Sequence, residues 1–140
     1  MRLVVYRAVI CRVPQQRLNR LLARALRHYA DKRREYPAEL SLAVVSRLTM
    51  RRLNGQYRRQ DKPTDVLSFS YGEVVICGPV AKAQAQRHHL AMQDELALLF
   101  THGLLHYLGF DHHTTRDRQQ MREAEERLLG YSGLVGRSAG

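Results

Sequence analysis

Apolar and polar positions along the chain predict a small sheet combined with several helices. Four short runs rich in Val, Ile, Leu or aromatic residues have the length and the bounding residues of strands. They are Arg2–Cys11, Glu39–Ser46, Thr64–Tyr71 and Glu73–Cys77. Gly72 alone separates the last two runs, which predicts a tight connection and an antiparallel pair of strands.

Helical periodicity is clear after the first strand, where Pro14 would open a helix that ends near Ala30. Apolar residues recur there at spacings of three and four, which predicts a stripe that faces a core. They are Leu18, Leu21, Leu22, Ala25 and Tyr29. Ser46 is suited to cap a short helix that reaches about Tyr57, and we expect a charged loop over residues 54–63.

Two further helices are predicted in the second half of the chain. Pro79 would start a long helix that continues without a break to the histidines around residue 106. Thr114 would cap a final helix that Gly130 stops, with Met121, Ala124 and Leu128 facing inward. The expected fold class is α+β, a small mixed four-stranded sheet packed with helices, with the histidines at the end of the longest helix.

Length and composition predict a single domain over residues 1–140, with a frayed tail from about residue 132. No apolar run approaches the roughly 18 residues that a membrane span needs, and the first residues lack the apolar segment of a secretory signal. We therefore expect a cytoplasmic protein that does not contact membranes. Cys11 and Cys77 are expected to be buried free thiols rather than a disulfide.

Charge is distributed unevenly along the chain, whose formal net charge is +10. Residues 1–62 contain 16 Lys and Arg against 4 Asp and Glu, whereas residues 63–140 contain 7 against 9. This asymmetry indicates a polyanion that lies along the first half and is processed at the second. The alternative is a basic face that only contacts solvent.

Four arginines of the first predicted helix step by three and four, so they form a second stripe on its surface. They are Arg17, Arg20, Arg24 and Arg27. The stripe either contacts RNA phosphates or only keeps an amphipathic helix soluble, and the sequence favours neither role.

Four of the seven histidines fall within residues 102–113. His102 and His106 are four residues apart, which on a helix places them on one face with Cβ atoms about 5–6 Å apart. Gly109 permits a left-handed residue that ends the helix and turns the chain back, so that His112 becomes a third ligand. Three neutral imidazoles leave the fourth position of a tetrahedral ion open to water, which is typical of catalytic zinc. We predict one zinc ion per chain at these three histidines.

The spacing H-x-x-x-H-x-x-G-x-x-H is also that of the metzincin metalloproteases. Those enzymes have a glutamate directly after the first histidine, where it serves as the general base. This chain has Gly103 at that position. Proteolysis is therefore disfavoured, and a metalloprotease without the usual base stays a remote alternative.

Three segments in order resemble the YbeY family of bacterial endoribonucleases. They are LNGQYRRQDKPTDVLSFS, GEVVICGPV and HGLLHYLGFDHH. The last segment meets the family pattern H-G-x-L-H-x-x-G-Y-D-H at every position but one, where Phe110 replaces tyrosine. The resemblance covers nearly the whole chain and is densest between Leu53 and Met121.

The resemblance implies a mixed four-stranded sheet with helices and metal-dependent cleavage of single-stranded RNA. It implies a role in 16S rRNA 3′-end maturation and 70S ribosome quality control. The expected partners are the ribosome or small-subunit proteins, with an assembly GTPase as a further candidate. The positions that match the zinc ligands are His102, His106 and His112, and Arg58 matches the essential arginine. We count all four as candidate catalytic residues. A non-catalytic, zinc-containing ribosome assembly factor is the alternative function.

Physical chemistry gives Arg58 a role of its own, since a guanidinium can form a bidentate pair with the oxygens of a phosphodiester transition state. The alternative is an exposed loop arginine. Several other assignments have less support from the sequence. Asp111 would either orient an imidazole or cap the last helix. Further candidates are Thr64 and Asp65 for holding the Arg58 loop, Ser68 for the substrate groove, and Arg59 for RNA binding.

Overall fold

Alternating apolar residues form one mixed sheet, as the sequence predicts. The computed structural model describes residues 1–60 and 63–130. Its strands are β1 (Arg2–Arg7), β2 (Glu39–Val45), β3 (Val66–Phe69) and β4 (Glu73–Cys77). They lie in the order β1-β2-β4-β3, and only the pair of β3 and β4 is antiparallel. β3 is therefore an edge strand.

Five helices surround this sheet, namely α1 (Gln15–Tyr29), α2 (Arg47–Arg58), α3 (Gly78–His88), α4 (Met92–Tyr107) and α5 (Thr115–Leu129). The first four pack against strands, whereas α5 packs against α4 and α1. The predicted caps are present. Ser46 Oγ accepts a hydrogen bond from the Thr49 N–H at the start of α2. Thr114 and Asp117 form a reciprocal capping box at the start of α5, and Gly130 ends that helix with a φ of 68°. The α+β class is confirmed.

Both faces of the sheet are covered. On one face Leu40, Leu42 and Val74 belong to a large core that includes residues of α1, α4 and α5. On the other face Val75 and Leu67 belong to a smaller core that includes residues of α2. β4 lies at the centre with both faces buried, which explains its continuous apolar run.

The prediction of one long helix from Pro79 to the histidines is wrong. α3 ends at His88, His89 adopts a φ of 56°, and α4 begins at Met92. Histidine tolerates this left-handed conformation better than most residues, so neither Gly nor Pro marks the break. The signal present in the sequence is electrostatic: basic residues close α3, and Asp94 and Glu95 lie in the first turn of α4.

Other boundaries shift. β1 ends at Arg7 rather than at Cys11, and the loop predicted from Asn54 begins only after Arg58, because α2 continues through Asn54 and Tyr57. Asn54 is buried. Cys11 is half-buried and Cys77 is buried, and both are free thiols. The predicted frayed tail lies outside the described residues.

Among residues 1–60 and 63–130, no helix is both long and apolar enough to cross a membrane.

Gly103 explains why α4 can lie so close to the sheet. A Cβ atom at this position would come within 2.8 Å of Val74 Cγ1 and 2.9 Å of Val66 Cγ2. Both valines belong to buried parts of β4 and β3. A glutamate of the kind found in metzincins would therefore have no room here, which gives a steric reason for its absence.

We expect Gly103→Ala to lower the free energy of unfolding by about 1–2 kcal/mol, because overpacking costs about 1–3 kcal/mol and the better helix propensity of Ala returns up to about 1 kcal/mol. Urea unfolding measures this change. Gly55→Ala in α2 is the matched control, since its Cβ would meet only Gln60 O at 3.7 Å. The control is expected to be neutral or slightly stabilising. Equal stability of the two variants would contradict the close packing.

Candidate metal centre and adjoining cleft

Three histidines converge at the C-terminal end of α4. One ring nitrogen from each of His102, His106 and His112 lies within 4.8 Å of the others. His102 and His106 are one turn apart on α4, and their Nε2 atoms are 3.1 Å apart. The His112 ring lies 4.9 Å from the His106 ring and 6.2 Å from the His102 ring, between centroids. The predicted grouping is therefore present.

A Schellman motif delivers His112. Gly109 has a φ of 110°, its N–H donates to His106 O, and the Phe110 N–H donates to Leu105 O. This pair of bonds reverses the chain directly after the helix. The turn thus returns residue 112 to the face of α4 that carries the other two histidines, as the position of Gly109 in the sequence predicts.

The outer nitrogens of the two helical histidines are fixed by acceptors. His102 Nδ1 donates to Glu125 Oε1 at 2.9 Å, and His106 Nδ1 donates to Phe110 O at 3.0 Å. Each ring must carry its proton on Nδ1, because a carboxylate and a carbonyl only accept. Each Nε2 atom then carries a lone pair, and the two Nε2 atoms face each other across the shared space.

This arrangement fits a divalent cation. Two unprotonated nitrogens 3.1 Å apart repel each other unless a positive charge lies between them. Two ligands of a tetrahedral ion with bonds of about 2.0–2.1 Å would be about 3.3 Å apart, close to the observed separation. The donor set, three neutral imidazoles, suits zinc, copper, iron or nickel and is unsuited to magnesium or calcium.

Electrostatics keep His106 neutral. Burial lowers the pKa of His106 to about 4, with further lowering from the neighbouring His102 and His112 and, most weakly, from Arg58, while the hydrogen bond to Phe110 O opposes the shift. At neutral pH the imidazole is therefore deprotonated at Nε2, as a metal ligand requires. The influence of Arg58 also shows that its guanidinium lies within electrostatic reach of the histidines.

A cleft of about 610 Å³ adjoins the histidines, and its wall includes His106, Arg58, Ser68 and Phe69. It crosses the edge strand β3, so that α4 supplies His106 from one side and the last residue of α2, Arg58, from the other. Arg34 also lines it and donates to Tyr107 O at 2.9 Å. Arg34 and Arg58 make the wall of this cleft cationic, which suits an anionic ligand.

Two of the sequence candidates near Arg58 make defined contacts. Ser68 Oγ donates to Gly103 O at 2.6 Å, which ties β3 to α4 at the wall of the cleft. Asp65 is buried, and its two oxygens accept from the Val66 N–H and from Gln84 Nε2, so it fixes the start of β3. Thr64 is half-buried. The role of these residues in holding Arg58 stays a prediction.

Asp111 lies beside the site without touching a ligand ring in any described contact. Its Oδ1 accepts from the His113 N–H at 2.9 Å, and this bond lowers the pKa of Asp111. Thr114, rather than Asp111, caps α5. His113 is exposed. Asp111 therefore shapes the turn, and of the two histidines there only His112 reaches the metal ligands.

The arginine stripe of α1 lies outside the cleft. Arg17 forms an ion pair with Asp94 at 2.7 Å and so connects α1 to the start of α4. Arg20, Arg24 and Arg27 are exposed, and the first two line a separate groove beside Leu128. Arg59, beyond the end of α2, is exposed as well. RNA contact by any of these five arginines stays a prediction.

Sequence reasoning missed Glu125, which is 4% exposed on α5 and holds His102. The only signal in the sequence is its position in the helix. Glu125 follows Met121 and Ala124 and precedes Leu128 on the inward face, where an unpaired carboxylate would be costly. A buried acidic residue on that face needs a partner, and His102 is that partner.

We expect Glu125→Gln to weaken metal binding by about 10- to 100-fold, because a neutral amide orients and polarises His102 less than a carboxylate does. Competition with a chromogenic chelator measures the affinity. The matched control is Glu126→Gln on the same helix, which leaves the histidine untouched. Unchanged metal affinity in the Glu125 variant would mean that the carboxylate only fills space.

Comparison with known proteins agrees with the geometry. The sequence profile of the family described as Endoribonuclease YbeY matches residues 7–133. The Endoribonuclease YbeY of Myxococcus xanthus is 40% identical over 129 residues, which cover 83% of this chain and 44% of that protein. The chain thus spans less than half the length of this relative. The Endoribonuclease YbeY of Thermobifida fusca is 39% identical over 126 residues, which cover 77% of this chain and 81% of that protein.

A solution structure of a Thermotoga maritima protein superimposes with a TM-score of 0.53 at 24% identity, covering 91% of this chain and 90% of that one. At this identity the likeness shows a shared fold alone. The family profile and the sequence identities go further. Together they show that the chain belongs to the YbeY endoribonuclease family.

Proposed function

We propose that this protein is a zinc-dependent endoribonuclease that cuts single-stranded RNA. The observation that carries the proposal is the convergence of three histidine nitrogens on the wall of a cleft that also holds Arg58. The names of its curated relatives, Endoribonuclease YbeY, support RNA as the substrate. Gly103, packed against two valines, leaves no place for a metzincin-type base, so a peptidase is disfavoured.

The histidines and Arg58 would have different roles in cleavage. His102, His106 and His112 would hold one zinc ion, which would supply a Lewis acid and would lower the pKa of a bound water to about 7. Arg58, across β3 from the histidines, would form a bidentate pair with the non-bridging oxygens of the scissile phosphate. Because negative charge on these oxygens grows toward the transition state, that pair stabilises the transition state more than the bound substrate.

No carboxylate lines the cleft within the described part of the chain. Two buried carboxylates near the site already have donors: Glu125 accepts from His102 Nδ1–H, and Asp65 accepts from the Val66 N–H and Gln84 Nε2. The described side chains that line the cleft therefore include no carboxylate to serve as a separate general base. Two nucleophiles stay open: water, or the RNA 2′-hydroxyl, which would leave a 2′,3′-cyclic phosphate. End-group analysis of the RNA products distinguishes them.

We further propose, from the family resemblance, that the protein acts in the cytoplasm, in 16S rRNA 3′-end maturation and 70S ribosome quality control. The ribosome and its small-subunit proteins would then be partners, and an assembly GTPase is a further candidate partner. The exposed arginines of α1 and Arg59 are candidate contacts to rRNA phosphates. Crosslinking of the purified protein to small subunits would test this assignment.

The direct test uses zinc-loaded protein with an end-labelled single-stranded RNA, the same sequence as a duplex, and casein. We expect cleavage of the single strand, little cleavage of the duplex and none of casein. Removal of the metal by a chelator should abolish cleavage, and added zinc should restore it. Unchanged cleavage by metal-free protein would overturn the proposal. No cleavage by zinc-loaded protein would favour a non-catalytic assembly factor.

A further inference from the structure

Three aromatic rings in contact adjoin the cleft through Phe69, which lines it. We name Tyr57, Phe69 and Tyr71 the aromatic ladder. The Tyr57 ring meets the Phe69 ring edge to face, with centroids 5.0 Å apart. The Phe69 ring is stacked on Tyr71 at 5.5 Å, with an angle of 20° between the ring planes. Tyr57 is 57% exposed and Tyr71 is 66% exposed, so the two ends of the ladder face solvent.

Single exposed aromatic residues are common and need no explanation. Here, however, the rings are fixed. Phe69 is half-buried against the smaller core, and the Tyr71 hydroxyl donates to Glu73 Oε1 at 2.6 Å. That bond raises the pKa of Tyr71 to about 12, so the ring stays neutral at physiological pH. The ladder therefore presents rigid, uncharged π faces at low entropic cost to a ligand.

The ladder adjoins the catalytic groups. Phe69 lines the same cleft as His106 and Arg58, and Tyr57 directly precedes Arg58 on α2. A nucleic acid whose phosphate pairs with Arg58 would thus bring a neighbouring nucleotide next to the ladder. Aromatic rings beside a cationic groove are the usual means by which proteins bind single strands without reading their sequence.

We propose that the aromatic ladder binds a nucleobase next to the scissile phosphate by stacking, and so selects unpaired RNA. This inference rests on the proposed function. Bases within a duplex are already stacked on their neighbours and are unavailable to Tyr71 or Tyr57. Arg58 could bind a phosphate of single-stranded or duplex RNA, but only single-stranded RNA offers a base that can stack on the ladder. The ladder would therefore favour binding of the single strand.

The test measures binding of metal-free protein, which prevents cleavage, to a labelled single-stranded RNA and to the same strand with abasic sites. We expect Tyr71→Leu to weaken binding to the normal RNA about 10-fold and to leave binding to the abasic strand unchanged. Tyr71→Phe keeps the ring and loses only the hydrogen bond to Glu73, so its affinity should stay much closer to that of the wild type than the affinity of Tyr71→Leu does. Equal affinity of Tyr71→Leu and the wild type for the normal RNA would contradict the proposal that the ladder stacks on a base.

A second readout is available because the chain has no tryptophan. Tyr71→Trp introduces a single reporter, whose fluorescence should be quenched by the normal RNA and not by the abasic strand. Absence of quenching on RNA binding would also overturn the inference. Cleavage by the zinc-loaded wild type is measured in parallel. If the zinc-loaded wild type cleaves RNA and Tyr71→Leu has an unchanged KM, only the stacking proposal is wrong. If the zinc-loaded wild type cleaves no RNA, the proposed function is wrong.

Discussion

Replacing His112 with alanine is expected to remove metal binding and RNA cleavage together while the protein stays folded. His112 is exposed in the turn after α4, so its side chain contributes little to the core. Loss of a ligand should weaken metal affinity by more than about 100-fold, since losing only an outer partner of a ligand costs about 10- to 100-fold. Elemental analysis, chelator competition and RNA cleavage on the same preparation measure the effect.

His113→Ala is the matched control for this prediction. It removes an imidazole one residue away, and the His113 side chain is 84% exposed. Metal content, cleavage rate and unfolding midpoint of the control should equal those of the wild type. Full metal occupancy and full activity in the His112 variant would show that the two helical histidines suffice and that the third ligand has been misassigned.

The three-histidine group could be predicted because its geometry is local. His102 and His106 lie four residues apart on one helix, and Gly109 sets the turn that returns His112. Each of these relations follows from the periodicity of a helix or from the φ preference of glycine. The orientation of the rings could not be predicted, because Glu125 lies 23 residues beyond His102 on a helix whose packing the sequence does not specify.

The fold, like the site, has features that the sequence predicts and features that depend on tertiary contacts. The order and class of the elements follow from hydrophobic patterns, whereas the ends of elements depend on contacts that the patterns do not contain. The break between α3 and α4 is one example: His88 Nδ1 lies 3.2 Å from the buried Glu95 Oε2, a contact that forms only once the two helices are separate. The continuation of α2 through Asn54 is another, because that polar residue is buried.

Edge strand β3 joins the two halves of the site. Ser68 binds Gly103 O on α4, and Phe69 contacts Tyr57 on α2. The metal ligands on one side and Arg58 on the other are therefore held to the same four-residue strand. This common support makes the distance between the histidines and the guanidinium a property of the fold rather than of a loop.

Replacing Arg58 with alanine is expected to lower kcat for RNA cleavage by about 100- to 1,000-fold, the usual cost of removing one group that stabilises developing negative charge. Metal content should be unchanged, because Arg58 contributes no ligand nitrogen. The fold should also be unchanged, since Arg58 is exposed at the end of α2. Single-turnover cleavage of a labelled single-stranded RNA, with zinc content determined in parallel, measures the effect.

Two variants separate geometry from charge at this position. Arg58→Lys keeps the positive charge and loses the planar fork, so it should recover only part of the lost kcat. Arg52→Ala removes an equal charge from the exposed surface of the same helix and should alter cleavage little at moderate salt. If Arg52→Ala were as damaging as Arg58→Ala, the arginines would act through the overall field. If Arg58→Lys had full activity, a point charge would suffice, and the proposal of a bidentate pair with the phosphate would be wrong.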